Sequence, residues 1–532
     1  MIQCKQQEVE GGRQNSASCS RWIAFCLIFT CFNAPLQAQQ APAAAQTDDA
    51  QAAADLELIS ALERVVSRAI ARAERSVVSI ARRKRESPQA NLMDSHPGGI
   101  TWGGRESMPL DPNFAASEFA TGVIIDARGL ILTNKHVLGE NPAENDFFVT
   151  TANHKVFIAK PGDRKVFAMK VKASDGMSDL AVLELLRPDT AQNGDFPPMT
   201  FGDASTLHKG QIVIALGNPY GIARDGQASA SWGIVSNLAR KANAYGEEDG
   251  LKNLHDYGTL IQTDAKLNLG TSGGALLNVR GEMVGLTTSL AAASGFEQPA
   301  GYAIPIDKAM LRIIQTLREG REVEYGLLGI LPENRLREDM KQGLPGVIVA
   351  RVVPGGPADK ANLRPNDVIT RVDGQTIYDR DGLRLHVSKF PPGSSVALTV
   401  ERPTDARPTV RRVVVRKLRV DLPQSYTTRP AVWRGAAIDW RLPAKPVPGH
   451  FPSAAPQEDF VTPCVAVRDV EEGSLAWRAG LRAGQLISHV GAASVGTPAE
   501  FNQAVASQAD EVKLRLYSAD DGGEHVLIVP AE

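Results

Sequence analysis

Between Ser76 and Leu290 the chain is a succession of short β-branched and apolar runs separated by turns, and this pattern constrains the fold more than any other feature. Runs of this length and composition predict β-strands. The predicted strands are Ser76–Ile80, Thr121–Asn134 (a hairpin), Phe147–Thr151, Val166–Val171, Leu180–Leu185, Gln211–Leu216, Gly233–Ser236, Ala275–Val279 and Met283–Leu290. A parallel α/β sheet needs amphipathic helices between its strands, and almost no helical spacing interrupts these runs. The stretch is therefore predicted to form an all-β barrel.

Helical spacing flanks this β region on both sides. Leu56–Ile70 carries apolar residues at helical intervals and predicts a docking helix. The Ala- and Gln-rich stretch Gln39–Ala54 before it predicts a flexible linker. Ile306–Arg318 predicts a second helix, which stops before Gly320, a residue that favours helix termination. A domain boundary is therefore expected at Gly320.

The C-terminal part of the chain repeats itself. Five positions recur at a spacing of 118: Gly355, Ala358, Ala361, Leu363 and Ile369 correspond to Gly473, Ala476, Ala479, Leu481 and Ile487. Two copies of one module are the simplest explanation. Upstream, the segment 328–330 aligns with 436–438 at a spacing of 108, which matches Gly329 with Ala437. The second copy is therefore expected to carry about ten extra residues, in the Pro-rich stretch Ala444–Pro463.

The N-terminus predicts export. Basic residues, among them Lys5 and Arg13, precede the apolar run Trp22–Phe32, and small residues follow near Ala38. This order is typical of a signal peptide, here residues 1–38, and the run is shorter than the ~20 residues that span a bilayer. The net charge of −2 shows no basic excess of the kind that nucleic-acid binding requires. A length of 532 residues suggests three or four domains.

Cysteine and histidine positions predict neither a disulfide nor a metal site. Four of the five cysteines precede the expected cleavage site, which leaves only Cys464 in the mature chain and makes an intrachain disulfide impossible. The nine histidines are scattered and do not cluster with cysteine at the spacing of metal ligands. No metal and no cofactor are therefore predicted.

Asp264–Gly274 places Ser272 on a glycine-rich turn between two apolar runs. A serine hydroxyl attacks a carbonyl only when a base takes its proton and fixed N–H donors stabilise the oxyanion. Glycine adopts dihedrals that other residues avoid, so the N–H groups of Gly270 and Ser272 could converge as an oxyanion hole. Taken alone, the motif also fits an ordinary hairpin turn with an exposed serine.

His136 and Asp179 supply the partners that a nucleophilic serine needs. Each stands at the end of a predicted strand, where a barrel can bring distant positions into one cleft. Singly, such residues are more often structural, but the order His136, Asp179, Ser272 is a known order of the serine protease triad. The segment 270–274 also fits the nucleophile elbow of α/β-hydrolases. That elbow requires a helix after the serine, whereas a strand is predicted here.

The segments T-N-K-H-V, S-D-L-A-V-L, A-L-G-N-P-Y-G and L-N-L-G-T-S-G-G-A-L-L-N resemble the HtrA (Deg) family of trypsin-fold serine proteases, and the repeats resemble its two PDZ domains. The resemblance covers about residues 74–532 and implies a mainly β chain. By this resemblance a trypsin-like double β-barrel at 74–320 precedes two α+β PDZ domains at 321–420 and 428–532, and a linker with an N-terminal helix occupies 39–73.

The resemblance also implies a function. The protein would be an ATP-independent endopeptidase that degrades misfolded or unfolded proteins in the periplasm of a Gram-negative-type envelope, as a homotrimer or a larger assembly of trimers. His136 would be the general base, Asp179 would orient it, and Ser272 would be the nucleophile, with Gly270 in the oxyanion hole. The alternative is a chaperone or scaffold that holds clients through its PDZ domains with little proteolysis.

The substrate pocket is expected to accept small or medium aliphatic side chains. Its expected lining is Leu267, Leu269, Thr288 and Leu290. Lys266 stands six residues before Ser272, where a trypsin-like pocket carries its Asp, so no carboxylate is evident there to pair with Lys or Arg.

The first repeat offers a loop for a peptide C-terminus. The residues expected to form this carboxylate loop are Leu327, Leu328, Gly329 and Ile330. In the second copy Ala437 is matched to the loop glycine, which leaves ligand binding and a packing role in the oligomer equally open. The resemblance further implies that Arg240 senses PDZ or substrate engagement, although a plain surface arginine fits its position as well.

Overall fold

A computed structural model describes residues 43–85, 118–151, 165–218, 227–241, 253–288, 301–420, 422, 424–428, 432–442, 462–508, 510–517 and 524–531. The predicted signal peptide lies outside these residues, as does most of the Pro-rich stretch 444–463. No helix within the described ranges is long and apolar enough to cross a membrane.

The N-terminal helix α1 spans Ala43–Ala73. The flexible linker predicted for Gln39–Ala54 is therefore wrong from Ala43 onward, because this stretch is rich in alanine, the strongest helix former. The docking of the helix is confirmed at its C-terminal end, where Ala69 and Ala73 are buried in the main core.

A closed barrel of six antiparallel strands follows. Its strands are β1 (Val77–Lys84), β2 (Glu118–Asp126), β3 (Leu130–Asn134), β4 (Asn145–Thr151), β5 (Lys165–Asp175) and β6 (Leu180–Leu185). They are ordered β5-β4-β1-β2-β3-β6, and β5 also pairs with β6 to close the barrel. Fully buried apolar side chains such as Ile80, Val149 and Leu183 fill its interior.

A second closed barrel is built in the same way. Its strands are β7 (Ile212–Gly217), β8 (Ser229–Arg240), β9 (Leu260–Thr263), β10 (Ala275–Leu277), β11 (Met283–Thr288) and β12 (Gly301–Pro305). The order around the barrel is β10-β11-β12-β9-β8-β7. Helix α2 (Lys308–Arg318) follows, and Asp307 caps it by accepting the N–H of Met310 at 2.8 Å. The predicted helix and its end before Gly320, whose φ is 72°, are confirmed.

Two sheet-and-helix modules complete the chain. The first contains β13 (Gly326–Leu327), β14 (Ile330–Asn334), α3 (Arg337–Lys341), β15 (Val347–Val352), α4 (Pro357–Lys360), β16 (Val368–Val372), β17 (Gln375–Thr376), α5 (Arg380–Ser388), β18 (Ser395–Glu401), β19 (Thr409–Val414) and β20 (Arg416–Lys417). The second contains β22 (Val432–Trp433), β23 (Ala436–Trp440), β24 (Val465–Val470), α6 (Leu475–Arg478), β25 (Leu486–Val490), β26 (Ala493–Ser494), α7 (Pro498–Ala506), β27 (Val512–Tyr517) and β28 (Glu524–Val529). Helices α6 and α7 lie 118 residues after α4 and α5, as the repeat predicts.

The segment between the two modules returns to the first barrel. Its strand β21 (Ser425–Tyr426) pairs with the end of β5, with Ser425 opposite Ser174. The fold is thus mainly β: a double barrel followed by two smaller α+β modules.

Candidate active site

His136 and Asp179 lie at the ends of neighbouring strands of the first barrel. His136 begins the short 3-10 helix His136–Leu138, just after β3. Asp179 immediately precedes β6, which pairs with β3 so that Asn134 stands opposite Leu180. The barrel therefore brings together two residues that are 43 positions apart in the chain.

The two side chains are hydrogen bonded. His136 Nδ1 is 2.8 Å from Asp179 Oδ2, and the His136 backbone N–H donates to Asp179 Oδ1 at 2.9 Å. Because a carboxylate only accepts, Nδ1 carries the proton and Nε2 is left able to take one. Burial lowers the pKa of His136, but the charge of Asp179 and its hydrogen bond outweigh that effect and raise the pKa above its ordinary value of 6.5.

Asp179 is held in an uncommon backbone conformation. Its φ is 52°, in the left-handed region that Asp tolerates better than most residues. Its carbonyl accepts the N–H of Lys135 at 2.8 Å and the side-chain amide of Asn134 at 3.4 Å. These bonds tie the Asp179 backbone to the segment that leads into His136.

Ser272 lies on a tight turn of the second barrel that packs against the first barrel. It is 5% exposed, and its carbonyl accepts the N–H of Thr121 in β2 at 2.9 Å. The next residue, Gly273, has a φ of 83° and no room for a side chain. A Cβ there would stand 2.1 Å from the carbonyl oxygen of Thr121 and 2.3 Å from Thr133 Oγ1. Since Thr133 belongs to β3, the turn is seated on the strand that leads to His136.

A β-turn from Asn268 to Thr271 comes directly before Ser272. The N–H of Thr271 donates to the carbonyl of Asn268 at 3.1 Å, and Gly270 at the third position has a φ of 92°. Together these features define a type II turn, which requires a positive φ at that position and therefore favours glycine or asparagine. The hydroxyl of Thr121 donates to the carbonyl of Gly270 at 2.8 Å. The backbone on both sides of Gly270 is therefore fixed.

The residues predicted to line the substrate pocket differ in their surroundings. Leu267 is half-buried against the second barrel and packs on the start of β12. Thr288 of β11 is buried and pairs with Tyr302 of β12. Leu269 stands at the corner of the type II turn and is 67% exposed. Leu290 lies outside the described residues.

Comparisons with known proteins identify the family of the chain. Residues 120–286 match the family model of the trypsin-like peptidase domain, and residues 326–410 and 467–517 match models of the PDZ domain. A probable periplasmic serine endoprotease, DegP-like, of Chlamydia trachomatis is 30% identical over 409 residues, 75% of this chain and 72% of that protein. The chain belongs to the HtrA (Deg) family of serine proteases.

Two further similarities concern the same family. A probable periplasmic serine protease do/HhoA-like of Haemophilus influenzae is 29% identical to this HtrA protease over 409 residues, 75% of this chain and 76% of the relative. Among solved structures, the HtrA-type protease AlgW with a decapeptide is 27% identical and covers 66% of this chain and 98% of its own, at a TM-score of 0.45.

In the first PDZ domain of this HtrA protease, the predicted carboxylate loop connects β13 to β14. Gly329 has a φ of 74°, and its carbonyl accepts the N–H of Val353 at 2.9 Å. Leu328 is buried, whereas Leu327 and Ile330 are half-buried. Within the described residues β14 is the end strand of its sheet, and α5 packs beside it. A strand edge next to a helix is the type of groove in which PDZ domains add a peptide strand.

The loop of the second PDZ domain keeps its glycine. Gly435 has a φ of 89°, and its carbonyl accepts the N–H of Glu471 at 2.8 Å, just as Gly329 accepts from Val353. The loops are thus 435 − 329 = 106 residues apart, and the second copy is longer by 118 − 106 = 12 residues. The expected match of Ala437 to the loop glycine is wrong, because the loop glycine is Gly435, two residues earlier in the chain.

In the second PDZ domain, part of the outer edge of β23 is covered by the chain itself. In its sheet β22 pairs with the start of β23, with Val432 opposite Ala437 and Trp433 opposite Ala436. The ring of Trp433 packs edge-on against Phe501 of α7, with 5.5 Å between centroids. A strand of the chain itself therefore lies where the first domain presents an open edge.

Arg240 lies exposed at the end of β8, and its Nε donates to Gln262 Oε1 at 3.1 Å. The next residue makes a contact with the first PDZ domain, because Lys241 Nζ is 2.6 Å from Asp381 Oδ2 on α5. No local sequence pattern predicts this pair, because its two surface charges meet only across domains.

Proposed function

We propose that the chain cleaves peptide bonds through a triad of His136, Asp179 and Ser272. The observation that carries the proposal is the 2.8 Å hydrogen bond between His136 Nδ1 and Asp179 Oδ2. This bond leaves Nε2 to take the serine proton. The seating of the Ser272 turn on β2 and β3 supports its role as nucleophile.

In the proposed reaction, Ser272 Oγ attacks the scissile carbonyl carbon while His136 Nε2 takes the hydroxyl proton. Asp179 keeps its hydrogen bond with Nδ1–H and stabilises the imidazolium that forms. The N–H groups of Gly270 and Ser272 donate to the oxyanion, and the type II turn supports this role of Gly270. The imidazolium then protonates the leaving amine as the C–N bond breaks, and water releases the acyl group from Ser272 by the same route.

The protein is a periplasmic serine protease that binds peptide or protein substrates, like its named relatives. We further propose that these substrates are unfolded or misfolded proteins, degraded without ATP, and that the active form is a homotrimer or a larger assembly of trimers. A chaperone or scaffold with little proteolysis is not favoured, because the relatives are named as serine proteases.

Two specificity elements belong to the proposal. The pocket beside Ser272 takes small or medium aliphatic side chains, in keeping with the apolar side chain of Leu267, which packs against the second barrel. The first PDZ domain takes a free, apolar C-terminus in the groove between β14 and α5. Cut-site mapping by mass spectrometry tests the pocket, and cleavage mainly after Lys or Arg would contradict it.

Casein, an unfolded protein, is a direct test substrate. Purified protein should degrade casein without ATP, and a serine-reactive inhibitor should stop the degradation. Degradation that needs ATP, or that the inhibitor leaves unchanged, would contradict the proposed function.

A further inference from the structure

A second histidine contacts the segment that carries Asp179 of the proposed triad. His255 belongs to the short 3-10 helix Leu254–Tyr257 and is fully buried. Its Nε2 is 2.9 Å from the carbonyl oxygen of Ser178, and its Nδ1 is 2.6 Å from Thr259 Oγ1. Ser178 immediately precedes Asp179 in the chain.

The partners of His255 fix its tautomer. A carbonyl oxygen only accepts, so Nε2 must carry the proton that it donates to Ser178. Nδ1 then accepts from the hydroxyl of Thr259. Burial holds the pKa of this imidazole below its ordinary value of 6.5, which keeps the ring neutral. His255 is therefore a fixed neutral donor aimed at the peptide bond between Ser178 and Asp179.

Three successive carbonyls around this peptide bond are held by the surrounding chain. The carbonyl of Met177 accepts the N–H of Leu254 at 2.8 Å, the carbonyl of Ser178 accepts from His255, and that of Asp179 accepts the N–H of Lys135. The middle bond is made by a side chain, whereas the outer two are made by backbone.

Ser178 is also held from the opposite side. Its N–H and its hydroxyl both donate to Asp175 Oδ2, at 2.9 and 2.5 Å. Asp179 follows in its left-handed conformation, with a φ of 52°. Such conformations persist only where the surrounding structure over-determines them. The imidazole of His255 is one of the groups that do so here.

We propose that His255 is a positioning residue for Asp179, acting through its hydrogen bond to the Ser178 carbonyl. The inference rests on the proposed role of Asp179 in orienting His136. Loss of the bond frees the peptide between Ser178 and Asp179, and the carboxylate loses its alignment with His136 Nδ1.

Replacing His255 separates a positioning role from a purely structural one. His255→Leu should lower kcat by about 10- to 100-fold with little change in KM, because small misplacements of catalytic groups cost rates of this order. The acid limb of kcat/KM should move to lower pH, since a misaligned Asp179 raises the pKa of His136 less. His255→Gln, whose Nε2 can reach the same carbonyl, should restore most of kcat and the position of the acid limb.

The acid limb of the pH profile can be assigned to His136, because the pKa values of the two histidines are shifted in opposite directions. Among the described residues, the charged groups that act most strongly on His136 are Asp179, Glu118 and Lys135. Those that act most strongly on His255 are Asp179, Asp256 and His136 when it is protonated. His255 and His136 are shifted in opposite directions, so the limb above 6.5 reports His136.

Leu254→Ala is the matched control, because it loosens the same helix without removing the donor. Leu254 is buried, and its backbone N–H still donates to Met177 in this variant. Its melting temperature should fall while its acid limb stays in place. If Leu254→Ala moves the limb as far as His255→Leu does, or if His255→Leu keeps the wild-type limb and kcat, the inference is wrong.

Two more variants complete the test. Thr259→Val removes only the hydroxyl that donates to His255 Nδ1. This variant should move the acid limb in the same direction by a smaller amount, which keeps the inference testable if His255→Leu does not fold. Asp179→Asn tests the proposed function separately. Full activity in Asp179→Asn would overturn the triad, whereas inactive Asp179→Asn with an unaffected His255→Leu would overturn only the role of His255.

Discussion

Asp179 and Gly270 both occupy the left-handed region of backbone conformation, with φ values of 52° and 92°. Each stands where the proposed chemistry needs a fixed group: a carboxylate against His136 and an N–H donor beside Ser272. Sequence motifs placed both residues at strand ends and turns, because short segments around reactive residues are distinctive. The partners of Asp179 and Ser178, such as His255, were not predicted, since they come from distant segments that meet only in the folded barrel.

The raised pKa of His136 predicts the pH dependence of the wild-type enzyme. The base must be neutral, so kcat/KM should rise with pH through a value above 6.5. Asp179→Asn removes the charge that raises the pKa, so the acid limb should move down and kcat should fall about 10⁴-fold. Rates with a chromogenic peptide between about pH 5 and 9 check both effects. An acid limb below the ordinary value in the wild type would contradict the assignment.

Gly270→Ala should lower kcat strongly while leaving the fold intact. The type II turn needs a positive φ at this position, which alanine disfavours, so the turn should change and move this N–H out of the oxyanion hole. Losing one oxyanion donor typically costs about 10²- to 10³-fold in kcat. Gly210→Ala is the matched control, because Gly210 has a φ of 85° and open space around its Cα. Equal losses of kcat in both variants, at equal melting temperatures, would contradict the assignment of Gly270 to the oxyanion hole.

At the scale of elements, the sequence predicts the short strands where apolar and β-branched residues form continuous runs, as in β3 and β6. Strands β9 and β12 were missed, because Leu260–Thr263 and Gly301–Pro305 are short and depend on barrel partners for their pairing. The register of the second repeat was also missed. The segment 436–438 ends in isoleucine, as the segment 328–330 does, so the sequence alone favours matching Ala437 with Gly329. Only the backbone hydrogen bond from Glu471 identifies Gly435 as the loop glycine.

The open edge of β14 and the covered edge of β23 predict different ligand binding by the two PDZ domains. A peptide with a free, apolar C-terminus should bind the full chain at one site per protomer, and amidation should weaken binding by about 1.5–3 kcal/mol. Trp433→Ala removes the ring that packs on Phe501 and should open a second site. Titration calorimetry measures the number of sites in the wild type and in Trp433→Ala. Two sites in the wild type, or unchanged affinity after amidation, would contradict this assignment.

The ion pair between Lys241 and Asp381 joins the second barrel to α5 of the first PDZ domain. If this contact transmits ligand binding, Lys241→Ala should reduce peptide-stimulated cleavage by a coupling on the order of 1–3 kcal/mol, with basal cleavage nearly unchanged. Arg240→Ala, at the neighbouring residue for which the family resemblance implies a sensing role, is the matched comparison. Activation curves against peptide concentration distinguish them, and identical curves for Lys241→Ala and wild type would show that the pair is not used for sensing.

At the scale of the whole molecule, one buried cation joins three parts of the chain. Lys417 of β20, 6% exposed, pairs with Glu322 and Glu324 from the segment before β13 and with Asp439 of β23. Burial lowers the pKa of Lys417, but the three carboxylates outweigh that effect and raise it. No sequence pattern predicts this cluster, because its members come from both PDZ domains and the linker before them.

Lys417→Met should destabilise the protein markedly, because it removes the buried cation shared by Glu322, Glu324 and Asp439, of which only Glu322 and Asp439 keep Arg468 as a second partner. Breaking a buried pair costs about 3–5 kcal/mol, whereas an exposed pair contributes about 0–1 kcal/mol. Arg515→Met, which breaks the exposed pair with Glu524, is the matched control. Denaturant unfolding of both variants gives the comparison. If Lys417→Met lowers the free energy of unfolding as little as Arg515→Met does, the carboxylates around Lys417 are solvated.

Covalent labelling tests the central claim most directly. The proposed triad makes Ser272 the one serine that a fluorophosphonate should modify rapidly, because His136 must remove its proton for the hydroxyl to react. Peptide mapping by mass spectrometry should therefore find the adduct at Ser272. The adduct and casein cleavage should both be lost in His136→Ala and in Ser272→Ala. An adduct at another serine, or casein cleavage that persists in Ser272→Ala, would contradict the account.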